Sequence, residues 1–196
     1  QEGFSPMKKS AFFLLLLFLQ FGLHAQTATA PAAGDGSVGD PYQIATLDNL
    51  YWIAAHNSVV ASPTQANRFN KYYIQTADID ASSTSSWFSG SGWLPIGHAV
   101  TKFTGNYNGG GYKIDGLYIN RTSTDSTGLF GYVQGGTIQN LGLTNVSVTG
   151  QNAVGALVGY LYSSATVTKC FSTGSVSGST TGVGGLVGNS NTSCII

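Results

Sequence analysis

Four aspartates are the side chains of this 196-residue sequence whose type and spacing best suit acid–base chemistry. They are Asp78, Asp80, Asp115 and Asp125. Hydrolysis of a glycosidic bond needs two carboxyl groups that flank the bond, and Asp78 and Asp80 would share one face of a strand because they alternate along it. That pair could be a catalytic site or a weak cation site, but strand-end aspartates bound to solvent or backbone are the simpler interpretation. The only glutamate, Glu2, lies near the N-terminus, so we expect no catalytic residue and no enzyme.

The histidines and cysteines show no motif for catalysis or metal binding. The histidines are His24, His56 and His98. No HExxH sequence is present, which excludes the zinc-peptidase motif, and the cysteines stand at no metal-ligand spacing from any histidine. We therefore expect His56 and His98 to be structural or exposed, and we predict neither a metal nor a cofactor.

Aromatic residues suggest a binding function more strongly than the acids do. Tyr132 and Tyr160 follow equivalent glycines in successive copies of a repeated sequence, and Trp87 and Trp93 lie in or beside a polar stretch. Flat rings on a surface with few charges suit sugar rings, which offer both apolar faces and hydroxyl groups. These four residues are our candidate carbohydrate-binding set. The alternative is that stacked tyrosines only stabilise the fold through pairing between strands.

The composition excludes two classes of partner. Only 8% of the residues are charged and the formal net charge is zero, while 27 residues are glycine. Charged residues usually make up about a quarter of a chain, so polarity here comes from Ser, Thr, Asn and Gln. Without a basic patch, the chain has no electrostatic footprint for nucleic acid or an acidic membrane.

The N-terminal segment has the pattern of an export signal. Lys8 and Lys9 precede the apolar run "SAFFLLLLFLQFGL" (10–23), and "LHA" ends in a small residue. The uninterrupted apolar core is too short to span a bilayer. We expect cleavage near Ala25, within an upstream and signal segment 1–25, and a secreted or cell-surface protein with no membrane span afterwards. Residues 26–40 are rich in small residues and predict a flexible leader.

A glycine-bracketed apolar sequence recurs three times: "TGLFGYV", "VGALVGYL" and "VGGLVGNS". Its leucines and its closing glycines recur at the same nearly constant step; they are Leu129, Leu157 and Leu186 with Gly131, Gly159 and Gly188. A period of about 28 residues indicates a structural repeat. We expect the leucines to form one internal column and the glycines to stand at sharp turns with positive φ.

Short strands fill each repeat. Ile114, Ile138 and Val167 share one position of the pattern, although the first step is shorter than the second, and Val148 matches Val176. About three strands per unit, with no helix between them, predict an all-β parallel β-helix with rungs of about 28 residues. The only helix predicted after residue 40 begins behind Thr46 as its N-cap and covers the N-terminal end of the coil.

These observations divide the chain into regions. Residues 41–102 form the N-terminal cap and first strands, and residues 103–196 form the repeats. The last repeat matches only part of the preceding one, so we expect a fragment of a longer protein. Cys170 aligns with Leu141 and Cys194 aligns with Ala165, which are different positions on neighbouring rungs. This favours free, buried thiols over the disulfide that export would permit.

The repeated sequences, with "TIQNLGLTNVSVTG" between them, resemble the GLUG motif of bacterial secreted and surface proteins. The preceding "GDPYQIATLDNLYWIA", "YYIQTADID", "WLPIG" and "FTGNYNGGGYKIDGLYI" resemble the segment that commonly precedes such repeats. The resemblance covers roughly residues 36–196. It implies a right-handed parallel β-helix in a large exported, adhesin-like protein. Some relatives carry an IgA-cleaving peptidase domain elsewhere.

The expected function is therefore an exported, non-catalytic repeat module that serves as a stalk or adhesive surface. Its partners would be host or environmental glycans or surface proteins. Two alternatives remain open: a carbohydrate-binding module that uses the exposed aromatics, and a fragment of a β-helix enzyme that acts on polysaccharides.

Overall fold

The computed structural model describes residues 26–191 and 193–196, which are mostly β. The predicted signal segment 1–25, its cleavage site at Ala25 and His24 lie outside the described residues. Helix α1 spans Leu47–Ala54, helix α2 spans Gln65–Arg68, and a run of 3₁₀ turns spans Ser82–Gly90. The strands, in chain order, are β1 (Tyr42–Ile44), β2 (Tyr72–Gln75), β3 (Ile79–Asp80), β4 (Asn106–Asn108), β5 (Lys113–Asp115), β6 (Tyr118–Asn120), β7 (Phe130–Gln134), β8 (Thr137–Gln139), β9 (Gly142–Gly150), β10 (Val154–Gly155), β11 (Val158–Tyr162), β12 (Thr166–Thr168), β13 (Phe171–Gly178), β14 (Val183–Gly184) and β15 (Val187–Ser190).

The named strands pair in parallel and stack repeat upon repeat. One sheet has the order β1-β2-β4-β8-β12, a second has β13-β9-β5-β3 with β6 also paired to β9, a third has β15-β11-β7, and β10 pairs with β14. The chain passes from β7 through β8 and β9 to β10, then visits the same sheets in the same order from β11 to β14. Each new strand therefore lies on its equivalent from the preceding repeat, which confirms the prediction of parallel, repeated strands.

The repeated leucines lie in one register. Phe130 pairs with Val158, and Val158 pairs with Val187, so the preceding leucines are also aligned. Leu129 and Leu157 are fully buried, and Leu186 packs partly buried against the same core. The predicted internal column of leucines is confirmed.

The predicted register of an earlier strand is wrong. Sequence similarity places Ile114 beside Ile138, but Ile114 pairs with Leu143 and Ile138 pairs with Tyr107. Strand β8 pairs with β4 instead. The sequence of β4 is Asn-Tyr-Asn, in which the one buried residue, Tyr107, stands between two polar residues. The pairing of Val148 with Val176, predicted from the later repeats, is confirmed.

The repeated glycines are required by space rather than by backbone conformation. A Cβ at Gly159 would lie 2.3 Å from the carbonyl carbon of Ser126, and a Cβ at Gly188 would lie 2.4 Å from the backbone nitrogen of Val154. At Gly131 it would lie 2.4 Å from a carbonyl oxygen of the neighbouring segment. None of the three glycines has positive φ, so the turn explanation for them is wrong.

Both glycines and other residue types turn the corners of the chain, and Gly116 and Gly135 do so with φ of 71° and 65°. Asn140 has φ of 56° and Lys169, one repeat later, has φ of 52°. Ser126 and Ala153 adopt φ of 54° and 51° at another pair of equivalent corners. Residues other than glycine rarely adopt positive φ, so the surrounding structure must hold these corners in place.

Helix α1 packs at the end of the stack that β1 begins. Thr46 Oγ1 accepts a hydrogen bond from the backbone N–H of Asn49 at 3.1 Å, which confirms the predicted N-cap. Leu50 and Ile53 are fully buried in the same core as the strands. The expectation of a single helix is wrong, because Thr64 caps the short helix α2 in the same way.

Residues 26–40 lie against the folded domain and differ from the predicted flexible leader. The N–H of Thr29 donates to the carbonyl of Asp48 at 3.2 Å, and the N–H of Tyr72 donates to the carbonyl of Gly36 at 3.1 Å. The side chain of Asn49 also donates to the carbonyl of Thr29 at 3.0 Å. Backbone pairing therefore orders a segment whose composition alone suggests a linker.

The two cysteines are free thiols and are half-buried. Phe171 pairs with Gly142, and Thr166 pairs with Ile195. Cys170 and Cys194 consequently occupy different positions on neighbouring rungs, as predicted. Burial raises the pKa of the Cys170 thiol, so its reactive thiolate is disfavoured at neutral pH.

We expect Gly159→Ala to lower the free energy of unfolding by about 1–3 kcal/mol or more, because the new methyl group has to displace backbone. The matched control is Gly185→Ala. No atom lies within 4 Å of a Cβ at Gly185, and the equivalent residue of the preceding rung is already Ala156. Equilibrium urea unfolding measures both variants. Losses of equal size would contradict the close-approach explanation.

Candidate functional site

The two predicted tryptophans are core residues. Trp87 is 2% exposed and Trp93 is fully buried, with their rings stacked at a centroid distance of 5.9 Å. The indole Nε1 of Trp93 donates to the carbonyl of Leu129 at 3.1 Å. Neither ring presents a face to solvent, so their prediction as carbohydrate-binding residues is wrong. The Ser- and Thr-rich sequence around Trp87 suggests exposure, but a turn directs the ring inward against Tyr51.

The tyrosines, in contrast, form a surface cluster on the sheet of β7, β11 and β15. Tyr132 and Tyr160 pair across β7 and β11, and their rings stack at 5.0 Å with an interplanar angle of 28°. Tyr162 meets the Tyr132 ring edge-on at 6.1 Å, and the Lys102 ammonium lies 5.3 Å from the centroid of the same ring. We call Tyr132, Tyr160, Tyr162 and Lys102 the tyrosine patch. Sequence reasoning missed Tyr162 and Lys102, although Tyr162 follows Tyr160 at the spacing of one strand face.

Packing within the tyrosine patch changes the pKa of one of its members, Tyr132. Burial, and then the neighbouring phenols of Tyr160 and Tyr162, raises the pKa of Tyr132. The neutral phenol is therefore favoured in the folded state. Any stability that this shift contributes is fully present below about pH 10 and is lost as the pH rises through the folded-state pKa.

Three of the four aspartates lie at the neighbouring strands β3 and β5, and only Asp125 lies elsewhere. Asp78 Oδ1 accepts from the backbone N–H of Lys113 at 2.8 Å, and Asp80 Oδ1 accepts from the N–H of Ser82 at 2.8 Å. Asp80 and Asp115 are neighbours in the β3–β5 register. Hydrogen bonds from Ser82 lower the pKa of Asp80, whereas a general acid at neutral pH requires a raised one.

Asp115 is held by neighbouring polar side chains. The hydroxyl of Thr144 and the side-chain amide of Asn145 both donate to Asp115 Oδ1, the latter at 2.8 Å. Among residues 26–191 and 193–196, no group of three or more His, Cys, Asp or Glu side chains is arranged to hold a metal ion.

Asp125 lies elsewhere, in a cleft of about 220 Å³ that we call the histidine cleft. The cleft is formed where α1 ends, where α2 begins, and by two loops around residues 94–98 and 121–126. Leu94 and Pro95 form an apolar wall, and the polar side chains of the lining include His56, His98, Gln65, Arg121 and Asp125. The structure thus brings together the two histidines that sequence analysis treated separately.

Hydrogen bonds order one side of the histidine cleft. The side-chain amide of Gln65 donates to the carbonyl of Ala54 at 2.8 Å, and its Oε1 lies 3.4 Å from His98 Nε2. The N–H of Thr101 donates to His98 Nδ1 at 3.3 Å. Nδ1 is therefore the acceptor of the neutral ring, and the proton resides on Nε2. Burial, followed by the charges of His56 and Lys102, lowers the pKa of His98.

Sequence comparison locates a family motif within this geometry. The profile of the GLUG motif matches residues 150–177. The chain carries the GLUG motif. The matched segment begins at Gly150, which pairs with Gly178 one rung later, so the motif corresponds to one complete rung from the end of β9 into β13. The GLUG resemblance predicted from the repeated sequences is confirmed.

Two curated relatives share much longer stretches with this GLUG-containing chain. Halomucin of Haloquadratum walsbyi is 40% identical over 174 residues, which is 86% of this chain and 2% of that protein. A candidate Gly-rich membrane protein of Evansella cellulosilytica is 33% identical over 160 residues, which is 78% of this chain and 17% of that protein. The chain therefore spans only a small part of either relative.

A solved structure shares the fold of the GLUG-containing chain. The crystal structure of a candidate immunoglobulin A1 protease from Bacteroides ovatus superposes with a TM-score of 0.50, over 83% of this chain and 66% of that one, at 19% identity. At this identity the likeness concerns the fold alone. In the part of the chain that the structure describes, no helix has both the length and the apolarity needed to cross a membrane.

We expect the Tyr132 phenol to titrate above the usual value of about 10. Tyr160→Phe keeps the neighbouring ring but removes its phenolate, so the pKa of Tyr132 should fall part of the way back. A pH titration of tyrosine ring carbons by NMR, assigned with Tyr132→Phe, measures both values. An ordinary pKa for Tyr132 in the wild type would contradict the described packing.

Proposed function

We propose that the chain is an exported, non-catalytic repeat module of a surface or secreted protein, and that its strands coil as a right-handed parallel β-helix. The observation that carries the proposal is the correspondence between one GLUG motif and one complete rung, stacked in register on rungs of the same kind. A module built this way adds length by repeating one kind of contact, because each rung touches only its neighbours. Such a structure suits a stalk or an extended adhesive surface.

The relatives support this assignment. Halomucin and the candidate Gly-rich membrane protein are both far longer than the part that this chain matches, and the name of the second places it at a membrane. The N-terminal export pattern points in the same direction. The hydrogen bonds accepted by Asp78, Asp80 and Asp115, together with the lowered pKa of Asp80, support a non-catalytic function.

Export makes a direct prediction. In the source cells, protein recovered from the medium or cell surface should begin at Gln26, and N-terminal mass spectrometry measures this. Leu15→Arg interrupts the apolar run and should retain the chain inside the cell, because a signal segment needs that run. A cytoplasmic chain that keeps residues 1–25 in the wild type would contradict the proposal.

A second candidate function is glycan binding by the tyrosine patch. The observation that favours it is the cluster of three half-buried tyrosines beside one lysine on an outer sheet face. Aromatic faces and phenol hydroxyls together suit sugar rings. The competing explanation is that the stacked rings only stabilise the sheet.

A glycan array separates these two explanations. If the patch binds sugar, wild type should retain at least one glycan and Tyr160→Ala should lose it while remaining folded by circular dichroism. Phe171→Ala, at another half-exposed ring on β13, is the control and should bind as wild type does. Absence of binding to every glycan would leave the tyrosines with a stabilising function only.

A further inference from the structure

The histidine cleft contains a positive charge without a counterion. Arg121 is half-buried, and among residues 26–191 and 193–196 no carboxylate forms an ion pair with it. Its Nε donates to the carbonyl of Trp93 at 2.8 Å, and its Nη2 donates to the carbonyl of Gly92 at 3.2 Å. These two bonds fix the plane of the guanidinium and leave Nη1 without a described partner.

Partial burial makes the positive charge of Arg121 less favourable than it is in water. Burial lowers the pKa of Arg121, but a guanidinium keeps its proton in proteins. A desolvated charge is disfavoured unless an opposite charge or further hydrogen bonds compensate it. The Phe88 ring, whose centroid lies 5.5 Å from Arg121 Cζ, supplies only part of that compensation. The fixed orientation of the guanidinium suits a carboxylate, which can accept two parallel N–H bonds.

The charged side chains in and near the cleft determine its electrostatic potential. Arg121 is the only Lys or Arg side chain among the lining residues, and the exposed Asp125 is the only lining carboxylate. Lys102 stands close enough to His98 to lower its pKa, and His56 does the same.

The rest of the lining matches a ring with hydroxyl groups. Leu94 and Pro95 supply an apolar wall, and Gln65, Thr124 and Ser126 supply polar atoms. The exposed carboxylate of Asp125 can accept hydrogen bonds from hydroxyl groups. The volume of about 220 Å³ is at the scale of a single small ring rather than of an extended chain.

We propose that the histidine cleft binds the carboxylate-bearing ring of an acidic sugar of the uronic acid type. Arg121 receives the carboxylate, Leu94 and Pro95 pack against the apolar face of the ring, and Asp125 accepts its hydroxyl groups. This site is separate from the tyrosine patch and does not depend on the proposed export or repeat function.

The test compares three small molecules on the full chain: D-galacturonate, D-galactose and acetate. NMR titration follows the resonances of His98, His56 and the Arg121 Nε–H. We expect galacturonate to bind roughly tenfold or more tightly than galactose, since it alone offers Arg121 a charge-assisted hydrogen bond. Acetate should bind more weakly than galacturonate because it lacks the ring. Equal affinity for galactose and galacturonate, or no response of these resonances, would overturn the proposal.

Matched variants identify the site. Arg121→Gln should weaken galacturonate binding about tenfold or more, whereas Phe171→Ala, at an exposed ring that does not line the cleft, should leave it unchanged. Circular dichroism checks that each variant folds. If Arg121→Gln does not fold, the comparison of galacturonate with galactose still decides the outcome. Loss of binding in Tyr160→Ala, with binding retained in Arg121→Gln, would place the sugar on the tyrosine patch and overturn the proposal.

Discussion

Backbone pairing between successive rungs is the constraint on which the rest of this structure depends. The N–H of Phe130 donates to the carbonyl of Leu157 at 2.8 Å, and the N–H of Leu157 donates to the carbonyl of Leu186 at 3.0 Å. Parallel strands held in this way lie about 4.8 Å apart. Equivalent side chains must therefore fit directly on one another, so leucine stacks on leucine inside and tyrosine stacks on tyrosine outside. Where a neighbouring backbone already fills the space of a Cβ, glycine is required.

The repeat made the parallel stacking predictable because identical positions recur at a nearly constant step. The leucine column, the Val148–Val176 pair and the cap of α1 all follow from spacing and from residue type. The register between less similar rungs could not be predicted. The sequence of β4 has only one apolar residue, Tyr107, between two asparagines. The reason for the repeated glycines was also hidden. Sequence alone does not distinguish a residue that needs positive φ from a residue whose neighbours leave no space.

In the candidate sites, too, the repeat predicted some neighbours, and tertiary packing alone determined others. Tyr132 and Tyr160 were predictable as neighbours because they occupy one position of the repeat. The burial of Trp87 was not, because the 3₁₀ turns that fold its ring inward are rich in serine and predict exposure. The histidine cleft was least predictable. Its side chains come from the end of α1, the start of α2 and two distant loops, and no motif spacing links these segments. Only tertiary packing places Arg121 near His98.

The equivalence of the contacts above and below each rung has a genetic consequence. A duplication of one rung's coding sequence would insert a unit whose two faces already complement its neighbours, and a deletion would bring together two faces that also fit. Copy number can consequently change by recombination without compensating substitutions. The histidine cleft, built from segments near the cap, would keep its composition while the distance between the two ends of the molecule varied from one lineage to another.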